Sequence, residues 1–191
     1  YINGGGMNLE WFRNELANTN RSTIDEITFE KLNKLAEKLD FTESIPYFVP
    51  HFGGRVCPPV PNLKGAWVGL DWTHQLGHLY KAILESVALE YGIYKKTLMN
   101  LYPDLKLKEV RITGGGEKSK LWNTIKSAVF QTPVVQITQN QGAPMGSAML
   151  AGVGVGLYKN LGEVVKEWVK TGKRFSSTAK MRVQYREKVK K

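Results

Sequence analysis

Three consecutive glycines, Gly114, Gly115 and Gly116, are the residues of this chain whose type and spacing most directly suggest chemistry. They follow residues 109–113, which alternate as a strand does, and lead into the helical pattern of residues 120–131. Glycine allows another group to approach the backbone closely, and a helix N-terminus favours a phosphate through its free N–H groups and its dipole. The glycines alone are equally compatible with a phosphate-binding turn and with an ordinary tight turn.

Two common nucleotide motifs do not fit this turn. Residues 114–119 read GGGEKS, which lacks the G-x-x-x-x-G-K-[ST] pattern of a P-loop. The dinucleotide fingerprint G-x-G-x-x-G fails at Ser119. The rest of the chain must therefore decide between the two interpretations.

Composition places the chain among ordinary globular domains. It has 191 residues, of which 42% are hydrophobic and 23% charged, which predicts one domain or slightly more with a real core. The single cysteine, Cys57, excludes a disulfide framework and predicts a reducing, cytoplasmic location. No apolar run approaches membrane length, so no membrane partner is expected. The chain begins at Tyr1 in a glycine-rich segment, which predicts a fragment.

The net charge of +10 is concentrated at one end of the chain. Residues 171–191 contain eight Lys and Arg and one Glu, so they carry seven of the ten positive charges. Apolar residues are interleaved with these charges, which predicts a basic C-terminal helix with a solvated face over 171–191. A patch that binds a nucleic-acid backbone is the less favoured alternative, and no nucleic-acid partner is expected.

Hydrophobic spacing and turn residues predict the other elements. Thr28 is the expected N-cap of one helix, and the helix at 142–156 contains so many small residues that it should lie tightly against a neighbour. The predicted helices are 7–17, 28–40, 73–101, 142–156, 161–170 and 179–190, with a short strand at 66–70, another at 132–138 and a proline-rich extended loop at 45–61. The order of strand, glycine turn, helix, strand and helix implies an α/β layer with parallel strands.

Few other residues suggest catalysis or metal binding. His74 and His78 have the four-residue spacing of a zinc pair, but without an H-E-x-x-H motif a packing or surface role is favoured. Asp71 is interpreted as a helix cap, and Glu85 as an acid on a helix surface.

Three segments resemble the FGGY carbohydrate kinases, in the order that this family has them. Residues 65–70 read GAWVGL and, after the gap of residues 71–77, residues 78–85 read HLYKAILE, which together fit the family's C-terminal signature. Residues 113–122 read TGGGEKSKLW, which resembles the family's adenine-nucleotide loop in a form closest to its xylulose kinase branch. Residues 142–152 resemble the small-residue helix that follows.

The resemblance implies a fold, an activity and cofactors. The family has two actin-like, ribonuclease H-like lobes with ATP and sugar between them, and residues 1–191 correspond to most of the C-terminal, nucleotide-binding lobe. The implied reaction is transfer of phosphate from ATP, with Mg²⁺, to a sugar hydroxyl such as that of D-xylulose, with glycerol, ribulose or gluconate as alternative substrates. The general base and most sugar contacts would belong to an N-terminal lobe. Because an open hydrophobic sheet edge would be a liability in isolation, a homodimer or a companion chain is the expected partner.

The same resemblance implies nucleotide-binding residues. Gly115 and Gly116, with Gly114 before them, would present backbone N–H groups to the phosphates. Ser119 occupies a position where relatives often carry an Asn that contacts adenine. Two further positions that match contacting residues are Gly6 and Glu10. Residues 51–55 (HFGGR) stand where many relatives have Gly-Glu-Arg, and they depart from that pattern at Gly54. A non-catalytic actin-like module with a partner-binding basic tail is the alternative outside enzymes.

Overall fold

The computed structural model describes residues 4–19, 25–40, 43–138 and 142–190. Residues 1–3, at the glycine-rich start, and Lys191 of the predicted basic tail lie outside these ranges. The helices are α1 (Gly5–Trp11, continued by a π-helical turn Phe12–Ala17), α2 (Phe29–Glu37), α3 (Leu76–Leu101), α4 (Lys120–Phe130), α5 (Ala143–Gly154), α6 (Leu161–Trp168) and α7 (Ala179–Lys190). The strands are β1 (Tyr47–Val49), β2 (Ala66–Val68), β3 (Val110–Ile112), β4 (Val134–Thr138) and β5 (Lys170–Phe175).

Strands β3, β4 and β5 form a sheet in that order. The β3 and β4 strands run parallel, with Val110 opposite Val134, as the glycine turn and crossover helix predicted. Strand β5 is antiparallel to β4, with Phe175 opposite Val134. The prediction of one helix over 171–191 is therefore wrong in its first part, because β5 precedes α7. The exposed charges of β5 have no helical apolar stripe, and pairing with β4 sets its conformation.

A second sheet has two strands: β1 lies within the segment 45–61 that was predicted as an extended loop, and β2 confirms the short strand predicted at 66–70. Strand β1 pairs antiparallel with β2, and Phe48 stands opposite Trp67 with 4.6 Å between the two ring centroids. Phe52 packs edge-on against Phe48 with 5.5 Å between centroids. The start of the proline-rich segment is therefore a strand, paired with β2 beyond the end of the segment and packed through these aromatic rings.

Helix α3 is the centre of the core. It packs against α2, α4 and α7, and its buried side chains include Ile83, Leu84 and Val87. Its N-cap is Gln75, not Asp71, and the Gln75 and His78 side chains form a reciprocal capping box. His78 therefore has a structural role, as favoured from the sequence. Within the part of the chain that the structure describes, no helix is both long enough and apolar enough to cross a membrane.

Helix α5 does not pack as its small residues predicted. Its buried residues are Met149 and Gly152. A Cβ on Gly152 would lie 3.1 Å from the Tyr158 ring, but one on Gly146 or Gly154 would have no atom within 4 Å. The close approach is therefore local to one position, and the prediction of a tightly packed helix is wrong for the rest.

Glu85 is buried, so its interpretation as a surface acid is wrong. One carboxylate oxygen accepts a hydrogen bond from the Tyr185 hydroxyl at 2.7 Å, and the other lies 2.6 Å from the Lys188 ammonium. The Glu85 residue is 5% exposed. Burial, reinforced by this carboxylate, raises the pKa of Tyr185 above its ordinary value. These contacts join α7 to α3 across 100 residues of sequence.

Replacing Glu85 with alanine tests the anchoring of α7. Glu85→Ala leaves the Tyr185 hydroxyl and the Lys188 ammonium in a buried site without their acceptor, so we expect the free energy of unfolding to fall by about 2–3 kcal/mol. Urea denaturation measures this loss. The control is Glu30→Ala, which removes an exposed ion pair to Lys34 and should leave the urea midpoint unchanged. Equal midpoints for both variants would contradict an anchoring role for Glu85.

Candidate functional site

A groove of about 680 Å³ lies between helices α1 and α2, the start of α3, and the glycine turn that leads into α4. This volume is in the range of about 300–1,000 Å³ that small-molecule sites occupy. The residues that line it are Gly4, Gly6, Met7, Leu9, Glu10, Phe29, Glu30, Asn33, Tyr80, Gly115, Gly116, Lys118, Ser119 and Trp122. Apolar and aromatic walls therefore combine with a few polar groups, as in a typical ligand site.

Five of the six residues singled out from the sequence line this one groove. They are Gly6 and Glu10 from α1, and Gly115, Gly116 and Ser119 from the glycine turn. The fold thus brings together two segments that are more than 100 residues apart in sequence. Gly114, the sixth, immediately precedes the groove residues of the turn.

The three glycines of the turn differ in their backbone conformation and surroundings. Gly114 has a φ of +95° and accepts a hydrogen bond from the Glu117 N–H at 3.0 Å. Gly115 has no atom within 4 Å of the position its Cβ would take, so its backbone is open to an approaching group. A Cβ on Gly116 would lie only 2.4 Å from the Trp122 ring. Turn geometry thus requires glycine at position 114 and internal packing requires it at position 116, whereas position 115 is open to an approaching group.

The turn itself is a short 3₁₀ helix, Gly115–Lys118, that precedes α4. The first N–H groups of such a turn have no acceptor within it. Lys118 adds a positive charge at the same wall of the groove. Open backbone, N–H donors and a cation together fit the phosphate groups of a nucleotide.

Trp122 and Ser119 fix this turn to the body of the fold. The Trp122 indole N–H donates to the Leu84 carbonyl of α3 at 2.9 Å. Ser119 is the N-cap of α4, and its hydroxyl oxygen accepts from the Trp122 backbone N–H at 3.2 Å. A serine just before an apolar-periodic helix is a cap signal, and that signal was overlooked at Ser119.

Helix α2 contributes groove residues that the sequence reasoning missed. Asn33 accepts hydrogen bonds at its amide oxygen from the Tyr80 and Ser119 hydroxyls. Glu30 also lines the groove and pairs with Lys34 at 2.8 Å. The hydrogen bond from Lys34 lowers the pKa of Glu30. In the sequence, Asn33 and Glu30 belong to the polar face of an amphipathic helix, and their spacing gives no indication of a binding site.

The HFGGR segment lies outside the groove. His51 Nε2 is 3.8 Å from one Glu90 carboxylate oxygen, and an Arg55 guanidinium nitrogen is 3.5 Å from the other. Gly54 has a φ of +82°, and a Cβ there would lie 2.6 Å from the Pro61 carbonyl oxygen. The backbone at Gly54 therefore excludes a glutamate in this conformation.

The described residues provide no metal cage. Within residues 4–19, 25–40, 43–138 and 142–190, no three His, Cys, Asp or Glu side chains come together to hold an ion. His74 instead approaches the Ser44 carbonyl at 3.1 Å, and His78 approaches Glu43 at 2.9 Å. Any Mg²⁺ would have to rely on ligands other than such a cluster.

Comparison with known proteins identifies the family. The sequence model for the C-terminal domain of the FGGY family of carbohydrate kinases matches residues 1–155. This chain belongs to that family. A xylulose kinase from Bacillus subtilis is 24% identical over 182 residues, covering 95% of this chain and 35% of the relative. A glycerol kinase from Borrelia hermsii is 30% identical over 165 residues, covering 86% and 32%. The chain thus spans about a third of the length of these relatives.

Solved structures agree with this assignment at the level of fold. A ligand-bound xylulose kinase from Lactobacillus acidophilus has a TM-score of 0.80 at 22% identity, covering 99% of this chain and 37% of that one. A Plasmodium falciparum glycerol kinase with ADP has a TM-score of 0.70 at 21% identity, with the same coverage. The fold is that of an actin-like lobe of the FGGY sugar kinases.

Lys126 provides a pH-dependent test of how Trp122 is packed. Its ammonium lies 3.7 Å from the Trp122 ring centroid, and burial lowers its pKa from 10.5 to about 8. At about 1.4 kcal/mol per pKa unit, burying this charge costs about 3 kcal/mol, partly offset by about 1–2 kcal/mol of cation–π attraction. We expect Lys126→Met to raise the free energy of unfolding by about 1–2 kcal/mol at pH 7.

The sign of the pH dependence follows from proton binding. Between pH 8 and 10.5 the unfolded chain holds a proton on Lys126 that the folded chain has released, so the native protein gains stability as pH rises. The variant's advantage should therefore shrink across this window, as measured by urea denaturation at each pH. Lys120→Met, at an exposed position on the same helix, is the control and should show no such trend. A constant difference for Lys126→Met would contradict the role of burial.

Proposed function

We propose that this chain is the ATP- and ADP-binding half of a sugar kinase that transfers phosphate to a sugar hydroxyl. The observation that carries the proposal is the convergence of Gly6, Glu10, Gly115, Gly116 and Ser119 on one groove of about 680 Å³. The family membership and the ADP-bound glycerol kinase among the structural neighbours support the same ligand class.

The proposed substrate is D-xylulose, which would give xylulose 5-phosphate. Xylulose kinases occur among both the sequence relatives and the solved structures. Glycerol and gluconate are the alternatives, because a glycerol kinase matches at 30% identity and a gluconate kinase at a TM-score of 0.80. Substrate choice is proposed to depend on a sugar-binding lobe outside residues 1–191.

The chemistry divides between this lobe and the rest of the proposed kinase. Phosphoryl transfer needs a carboxylate that accepts the hydroxyl proton, and Mg²⁺ to neutralise the phosphates. We assign neither role to a described residue. The groove would instead hold the nucleotide so that its terminal phosphate faces the sugar, and closure of the lobes would exclude water. A companion chain carrying the rest of the kinase would supply the other half, with a homodimer as the alternative assembly, and the free thiol of Cys57 agrees with a cytoplasmic location.

The competing proposal is a non-catalytic actin-like module that binds a partner through its basic tail. Strand β5 and helix α7 carry exposed Lys and Arg side chains. Such a module would bind nucleic acid with an affinity that falls steeply as salt rises, whereas nucleotide binding in the groove should depend on salt only weakly.

A calorimetric titration of MgADP into the chain tests the proposed nucleotide site. We expect saturable binding in the wild type that persists at moderate salt. Gly115→Val should reduce the affinity at least tenfold, because its side chain would occupy the space open to the phosphates. The fold should be unaffected, since no atom lies within 4 Å of the new Cβ. Unchanged ADP affinity in Gly115→Val would overturn the assignment of the turn.

Two glycine controls separate binding from folding. Gly146→Val on α5 also adds a side chain where no atom lies within 4 Å, but outside the groove, so it should leave ADP affinity unchanged. Gly116→Ala places its Cβ against Trp122 and should lower stability by about 1–3 kcal/mol, as overpacking does. If Gly115→Val lowers the stability as much as Gly116→Ala does, then Gly115 is required for folding of the turn and not for ligand binding.

A further inference from the structure

The amide of Asn33 is held in one orientation by two hydroxyl groups from different elements. Its oxygen Oδ1 lies 3.2 Å from the Tyr80 hydroxyl of α3 and 3.3 Å from the Ser119 hydroxyl before α4. Tyr80 is 2% exposed. Three separate elements thus meet at this one side chain, at the wall of the groove.

Both hydroxyl contacts are made to the oxygen end of the amide. The Ser119 hydroxyl oxygen accepts a hydrogen bond from the Trp122 backbone N–H at 3.2 Å, and the Ser119 hydroxyl donates its own hydrogen to Asn33 Oδ1 at 3.3 Å. The Asn33 oxygen therefore receives both hydroxyl hydrogens. Its NH₂ group donates to no residue within the described part of the chain, and Asn33 lines the groove.

We infer that the Asn33 NH₂ group recognises the base of the bound nucleotide by donating to a purine ring nitrogen; this inference rests on the proposed nucleotide function. A neutral donor among aromatic and apolar walls, here Phe29, Tyr80 and Trp122, matches a base better than a phosphate. The phosphates have their own cation, Lys118, and the open backbone of Gly115. Asn33 is thus a specificity residue, and Ser119 and Tyr80 are the residues that position it.

Asn33→Leu and Asn33→Asp test this role in the full chain. Leucine removes both the donor and the acceptor and keeps the branched shape of the side chain. Aspartate keeps an oxygen acceptor for Tyr80 and Ser119, and so preserves the local fold, but it offers the base a carboxylate instead of an N–H. We expect each variant to bind MgADP at least tenfold more weakly than the wild type in calorimetry, and to bind ribose 5-diphosphate, which lacks the base, as the wild type does.

Matched controls separate the possible failures. Asn100→Asp makes the same charge change at an exposed position of α3 and should leave ADP affinity unchanged. If the wild type binds neither ADP nor ribose 5-diphosphate, the proposed nucleotide function fails and the inference fails with it. If the wild type binds ADP and both Asn33 variants bind it equally well, only the inference is overturned. An equal loss of both ligands would mean a general effect on the groove, and would also overturn it.

Analogues of ADP identify the acceptor. The 1-deaza, 3-deaza and 7-deaza forms each replace one ring nitrogen of adenine with carbon. We expect one of these analogues to bind the wild type about as weakly as ADP binds Asn33→Leu. The same analogue should bind Asn33→Leu no more weakly than it binds the wild type. If the wild type binds all three with the affinity of ADP, the donor role of Asn33 is excluded.

Discussion

The hydrogen bond between the Trp122 indole and the Leu84 carbonyl is the interaction on which the site depends. The Leu84 carbonyl lies in the middle of α3, where helical bonding leaves it room for a second donor. The bond orients the indole against the glycine turn, so that Gly116 has no space for a side chain. Trp122 is 6% exposed and also lies under the Lys126 ammonium. The position of the turn, and with it one wall of the groove, is thus determined from the core outward.

Glu85, the residue after Leu84, connects the same part of α3 to the C-terminal helix α7. Glu85 binds Tyr185 and Lys188 of α7, while Leu84 binds Trp122 of α4. Two consecutive residues of one helix therefore hold two other helices, and α4 and α7 also pack against each other. The basic tail, which in sequence resembles a solvated appendage, is part of the same core that positions the groove.

Features that depend on local and periodic sequence patterns were predicted correctly. Predictions failed for residues whose conformation or contacts depend on partners far away in the sequence. The glycine turn, the parallel β3–β4 pair, the cap at Thr28 and helix α3 follow from spacing and propensity, and the structure has them. Strand β5 was missed because its conformation comes from pairing with β4. Glu85 was misassigned because a carboxylate on a helix gives no local sign of partners 100 residues away. Asn33 was missed for the same reason, since its partners come from α3 and from the loop before α4.

The contact between Gly116 and Trp122 also limits how this sequence can diverge. With the indole in place, every substitution at position 116 adds at least a Cβ to space the ring already fills. A lineage that first replaced Trp122 with a smaller apolar side chain would remove that barrier, and alanine at position 116 would then be accommodated. Positions 116 and 122 are therefore expected to change together during evolution and in a fixed order. Trp122 is replaced by a smaller residue first, and only then can Gly116 be replaced.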